Sequence, residues 1–167
     1  LRILPEEPNE IIKICVDTNQ IYFSFQNVEL VSKIIEGKYP DYPQIIPKEY
    51  KTRVILNADE LIKGIKRQSF FTDEKRKLNI AFSCAKQEMT IISNGVIGES
   101  VSKIKGEIKG EENEIVVDYK YLLQGVQSLK SNEIIIEIIN KKQPLILKSP
   151  LEEKNYFYFI FPVAEKE

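Results

Sequence analysis

Four aspartates, Asp17, Asp41, Asp73 and Asp118, are the side chains best suited to hold a divalent cation or activate water, the chemistry of a metal-dependent phosphoryl hydrolase. Their spacing forms no recognised ligand motif. The 167 residues include no histidine, which removes the commonest general base, the usual partner of a Ser or Cys nucleophile and the commonest zinc ligand together. Cys15 and Cys84 are too far apart for a Cys-x-x-Cys pair and read as buried, reduced thiols. The few glycines fall in turns or singly, so a phosphate-cradling loop is missing and any ATP use would belong to a partner. We therefore expect a non-enzyme without metal or cofactor, whose function lies in contacts.

Composition fits that reading. With 43% hydrophobic and 29% charged residues the chain reads as soluble, long enough for one domain or one domain plus part of another. Apolar runs stay well short of the roughly 20 residues a membrane helix needs. A signal peptide is not visible at Leu1, and a trimmed fragment in a reducing cytoplasm is expected. A net charge of −1 gives no general affinity for phosphates, so a nucleic-acid role would depend on where Lys and Arg sit.

The positioning elements follow from periodicity. Ile11 to Val16 and Ile21 to Phe25 read as a hairpin, with a third strand from Val28 to Ile35. Pro40, Pro43 and Pro47 mark a linker, which places a boundary between a first part, 1–47, and a second, 48–167. In the second part a strand from Thr52 to Leu56 leads to a helix capped by Asn57 with Glu60 three residues on, Leu61, Ile62 and Ile65 facing inward. Strands follow at Leu78 to Cys84, Met89 to Ser93 and Val96 to Ile104, with Asn94-Gly95 expected to make the hairpin turn. The pattern then recurs. A strand from Glu114 to Val117 precedes an Asp118 cap and a helix burying Leu122, Leu123, Val126 and Leu129. Three strands end it: Glu133 to Ile139, Pro144 to Lys148 and Tyr156 to Phe161. This strand-helix-three-strand duplication predicts an α+β fold with two helices on one face of antiparallel sheets.

Ile35-Glu36-Gly37-Lys38-Tyr39-Pro40-Asp41-Tyr42 followed by Ile45-Ile46-Pro47 resembles the junction between the second and third domains of the bacterial DNA sliding clamp, the β subunit of DNA polymerase III. Lys66-Arg67-Gln68-Ser69-Phe70-Phe71, Tyr121-Leu122-Leu123 and Tyr158-Phe159-Ile160-Phe161-Pro162 keep that family's order. The resemblance implies the DNA clamp fold, with the last part of domain 2 at 1–47 and domain 3 at 48–167. In the family, two chains close head to tail into a ring that slides on double-stranded DNA without sequence preference. The ring tethers the replicative polymerase, the clamp loader and other proteins that carry a clamp-binding motif.

By the same resemblance, the peptide-binding pocket would comprise Pro40, Gln44, Ile45, Arg76, Asp118, Tyr121, Lys142, Pro144, Phe159, Ile160, Phe161, Pro162 and Val163. Gln44 stands where the family often has Arg, Arg76 where an aromatic or apolar residue is common, and Asp118 where Asn is usual. Lys63, Lys66, Arg67, Lys120, Gln124 and Gln127, opposite the apolar helix stripes, would face DNA. Phe70 and Phe71 would lie at the interface of the homodimer. A peptide-binding adaptor that never encircles DNA is the alternative.

Overall fold

The computed structural model describes residues 11–38, 41, 44, 47, 49–151 and 156–163. The chain divides into two compact units, Leu1–Asp41 and Tyr42–Glu167. The first holds an antiparallel sheet of β1 (Lys13–Val16), β2 (Gln20–Phe25) and β3 (Val28–Lys33) in that order. Register sets Ile14 beside Phe23 and Phe23 beside Leu30. Two-residue alternation then gathers Ile14, Val16, Ile21, Phe23, Phe25, Val28 and Leu30 on one face. Cys15 lies on the other face, with Lys13, Tyr22 and Glu29, and is exposed. This corrects the expectation that it is buried: the sheet's apolar side is the one Cys15 does not share.

The second unit runs β4 (Thr52–Asn57), α1 (Ala58–Ser69), β5 (Lys77–Ser83), β6 (Glu88–Gly95) and β7 (Gly98–Gly110). It then repeats as β8 (Asn113–Asp118), α2 (Tyr119–Ser128), β9 (Glu133–Ile138), β10 (Leu145–Lys148) and β11 (Phe157–Ile160). The sheet order is β11-β10-β9-β4-β7-β6-β5-β8. Replacing each element by its counterpart turns β7-β6-β5-β8 into β11-β10-β9-β4, so the duplication is a pseudo-twofold in which each half lends its first strand to the other half's sheet. Thr52 and Asn113, counterparts at the starts of β4 and β8, meet directly: Asn113 Nδ2 donates to Thr52 Oγ1 at 3.2 Å.

Both helices form for the same local reasons. Asn57 Oδ1 accepts from Glu60 N at 3.1 Å and Asp118 Oδ1 from Lys120 N at 2.8 Å, each satisfying an amide of the first turn that has no partner within its helix. Asp59 and Glu60 open α1 and Lys66 and Arg67 close it, the arrangement its dipole favours. Leu61 and Ile65 of α1, with Leu122 and Val126 of α2, bury against Ile80, Ile91, Ile115, Ile136 and Leu147 of the sheet. Each such side chain contributes about 1.5–3 kcal/mol of transfer free energy. The helices pack on each other and on one face of the sheet. Gly64 and Gly125 occupy equivalent helix positions because a Cβ would press on Ile104 in one half and on Tyr158 and Leu147 in the other. Buried Gln68 is held by the hydroxyls of Ser93 and Ser102, at 2.7 and 2.6 Å.

One turn differs from expectation. The β6–β7 ladder continues through Asn94 beside Glu99 and Gly95 beside Gly98, which leaves Val96 and Ile97 as the two-residue turn. Gly95 is required by crowding instead: a Cβ there would run into the Phe71 carbonyl oxygen. The positive φ, 132°, falls at Gly98.

Candidate functional site

Around Tyr121 the first turn of α2 meets the strand before it. Asp118, 7% exposed, accepts from Lys120 N through Oδ1 and holds Arg76 Nη2 through Oδ2 at 3.1 Å. Arg76 has φ +55°, and its carbonyl accepts from Tyr119 N at 3.0 Å, so α2 and the start of β5 are tied at two points. Arg76 Nε is buried and has no hydrogen-bond partner among the described residues. Tyr121 is 56% exposed. The Tyr158 hydroxyl is held above the usual tyrosine range by burial, with Tyr156 and Tyr121 adding to the shift. Tyr156 and Tyr158 were not among the expected site residues. Their signal was the spacing of two tyrosines along one strand, which reads equally well as ordinary strand alternation.

The expected pocket residues fall into two groups on opposite sides of β11. Arg76, Asp118 and Tyr121 lie on the helix side. Phe159 and Phe161 point the other way, their rings edge to face at 5.7 Å. Ile160 is turned into the core and Pro144 is buried, so both support the site from behind. Lys142, Phe161, Pro162 and Val163 line a cavity of about 660 Å³. Its floor is the face of β5, β6 and β8 opposite the helices, where Asn79, Ala81, Ile92 and Val116 alternate with the core residues Ile80, Ile91 and Ile115. Gln44 has helical backbone and is exposed. Pro40 and Ile45 lie outside the described residues.

Lys63, Lys66, Arg67, Lys120, Gln124 and Gln127 are all exposed, on helix faces turned away from the core. Phe70 is 75% exposed at the C-cap of α1 and Phe71 half-buried, and the exposed Val96 and Ile97 turn follows directly from Gly95, which packs on Phe71. That turn adds apolar surface the sequence had assigned to a strand. The aspartates do not converge: among the described residues no group of three or more His, Cys, Asp or Glu could hold a metal ion. Asp17 and Asp73 instead accept from backbone amides one and two residues on. No helix among the described residues is long and apolar enough to cross a membrane.

Residues 43–164 match the family model described as DNA polymerase III beta subunit, C-terminal domain. This chain belongs to that family, the β sliding clamps. It is 30% identical over 151 residues to the beta sliding clamp of Bacillus subtilis, covering 89% of this chain and 40% of the relative. To that of Synechocystis it is 29% identical over 158 residues, covering 93% and 40%. The crystal structure of the Bacillus subtilis clamp superposes with a TM-score of 0.78 at 29% identity, over 93% of this chain and 41% of that one. A Pseudomonas aeruginosa β subunit reaches 0.81 at 18% identity, over 96% and 44%, a likeness of fold alone. The chain thus spans about 40% of the length of the curated clamps it matches.

Proposed function

We propose that this chain is the C-terminal part of a sliding clamp: a non-catalytic processivity subunit whose ring encircles duplex DNA in the cytoplasm and tethers the replicative polymerase and other replication and repair proteins. The observation that carries the proposal is a pair of helices, backed by one sheet, whose outward faces present Lys63, Lys66, Arg67 and Lys120 to solvent in a chain of the clamp family. A ring is retained by topology, so exchangeable contacts from a few cations suffice, and tight base contacts would stop it sliding. The boundary between clamp domains 2 and 3 is proposed at residues 47 and 48. Phe70 and Phe71 form part of the contact that closes the ring of two chains, where exposed aromatics serve as anchors.

Partner proteins bind by a short segment whose apolar side chains sit against Tyr121 and Pro162, with Arg76 and Asp118 bordering the site. Fluorescence anisotropy tests this with a labelled hexapeptide ending in leucine and phenylalanine. Binding is expected in the micromolar range and to weaken about tenfold or more in Tyr121→Ala, a loss of about 1.4 kcal/mol. Unchanged affinity in that variant would overturn the pocket. For the ring, the full-length protein is expected to stay on circular DNA and to be lost when the DNA is linearised; equal retention on both would favour the adaptor.

A further inference from the structure

Asn94-Gly95 does not make the hairpin turn, and its chemistry is left over. It is the sequence's single Asn-Gly pair. Such a pair carries its own nucleophile: the glycine amide nitrogen attacks the asparagine side-chain carbonyl carbon, and glycine has no side chain to hinder the approach. Ring closure forms the bond from Gly95 N to Asn94 Cγ, breaks the bond from Cγ to Nδ2 and releases ammonia, the amide proton passing through water. Water then opens the succinimide at either carbonyl, giving aspartate or, with the chain rerouted through the side chain, isoaspartate. Nothing is oxidised, and water is the one co-reactant.

One reactant is free and the other is restrained. Asn94 is exposed, and its carboxamide has no hydrogen bond among the described residues. Gly95 is held twice. It packs against the Phe71 carbonyl so closely that a Cβ would collide with the oxygen, which is also why another residue cannot replace the glycine and remove the labile pair. Gly106 N donates to the Gln87 carbonyl at 3.2 Å. Hydrogen-bonded pairs recur at every second residue of an antiparallel ladder, so Gly95 and Gly98 form such a pair. The attacking amide is thereby tied to Gly98, and Asn94, extended in β6, turns it away from its own side chain. This restraint is local. Past it lie Val96 and Ile97, both exposed, so the hairpin end has little burial to keep it closed.

We propose that Asn94-Gly95 is a deamidation site gated by fraying of the β6–β7 hairpin end, and that its product holds the gate open. The product sets a carboxylate directly opposite Glu99, a like-charge pair across the two strands. The isoaspartyl form also adds a backbone methylene ahead of Gly95 and displaces it from Phe71. The reaction therefore runs one way, from a closed hairpin end to an open one, and records how long that end has stood uncovered.

Peptide-mapping mass spectrometry tests this on the full chain aged in mildly alkaline buffer, once folded and once in urea. Asn94 is expected to deamidate about tenfold or more slower in the folded chain. Gly98 has φ +132°, and a Cβ there meets nothing within 4 Å, so Gly98→Val strains the turn without a clash. That variant is expected to deamidate about threefold or more faster than the folded parent while its core still unfolds cooperatively. Equal rates in the folded and unfolded chain, or a Gly98→Val rate no faster than the parent's, overturns the gate. In the purified deamidated chain, amide exchange at Gly98 and Ser100 is expected to be faster than in the parent; unchanged exchange overturns the claim that the product holds the end open.

Discussion

The seam between β4 and β7 and the seam between β8 and the end of the chain are built from the same plan and finish differently. In the first, a 13-residue strand pairs with β6 and continues along β4. Gly106 lets the two backbones approach where a Cβ would strike Leu56 and the Ile55 carbonyl. In the second, the four-residue β11 is followed within two residues by a proline. The first seam is sealed on its outer face by Glu137 between two cations; the second has Ala81 and a cavity. A duplicated fold can thus finish the same contact in two ways with few residue changes.

Glu137→Ala should separate the halves most. It strands Arg53 and Lys148 beside a partly buried void and is expected to cost about 3 kcal/mol in urea unfolding, whereas the counterpart change Ala81→Glu stays within about 1 kcal/mol. Equal costs would remove the contrast between sealed and open faces. Gly106→Ala is expected to cost about 2 kcal/mol by overpacking, against about 0.5 kcal/mol or less for Pro162→Ala. The two caps sharpen the comparison further. Asn57→Ala should lose about 1 kcal/mol, and Asp118→Ala about 2 kcal/mol because its carboxylate also holds Arg76.

The smallest effect lies in acid. Glu88 is held below the usual carboxylate range chiefly by its hydrogen bond to Lys105, with Lys103 adding to it and burial opposing. A lowered folded-state pKa gives stability that is present above the unfolded value and lost as pH falls through the folded one. Glu88→Gln should therefore be less stable than the parent near neutrality and converge with it in acid, as thermal unfolding across pH will read. A gap that widens in acid would reverse the assignment.

Much of this was legible from residue order. Asn57 with Glu60, and Asp118 before an apolar helical stripe, announce two capped helices, and strand, helix and three strands recur at both. The duplication of sheet order was harder to see, since each half exchanges its first strand and only tertiary pairing reveals that. The Asn94-Gly95 turn misled because glycine serves two needs: it permits positive φ, and it permits close approach, as it does against Phe71. Family resemblance marked Tyr121 and Pro162, yet the groove of Ala81, Ile92 and Val116 stayed hidden. Alternating small and apolar strand residues look the same whether their outer face is covered or bare. Glu137, in a strand otherwise rich in isoleucine, gave no hint of the two cations that meet it from β4 and β10.

Amide hydrogen exchange at Val116 and Ile55, counterparts on β8 and β4, tests the unequal seams most directly. The unequal-seam account predicts that Val116 exchanges by local opening, orders of magnitude faster than Ile55. Equal, globally limited exchange at the two residues would contradict it, because both seams would then be closed.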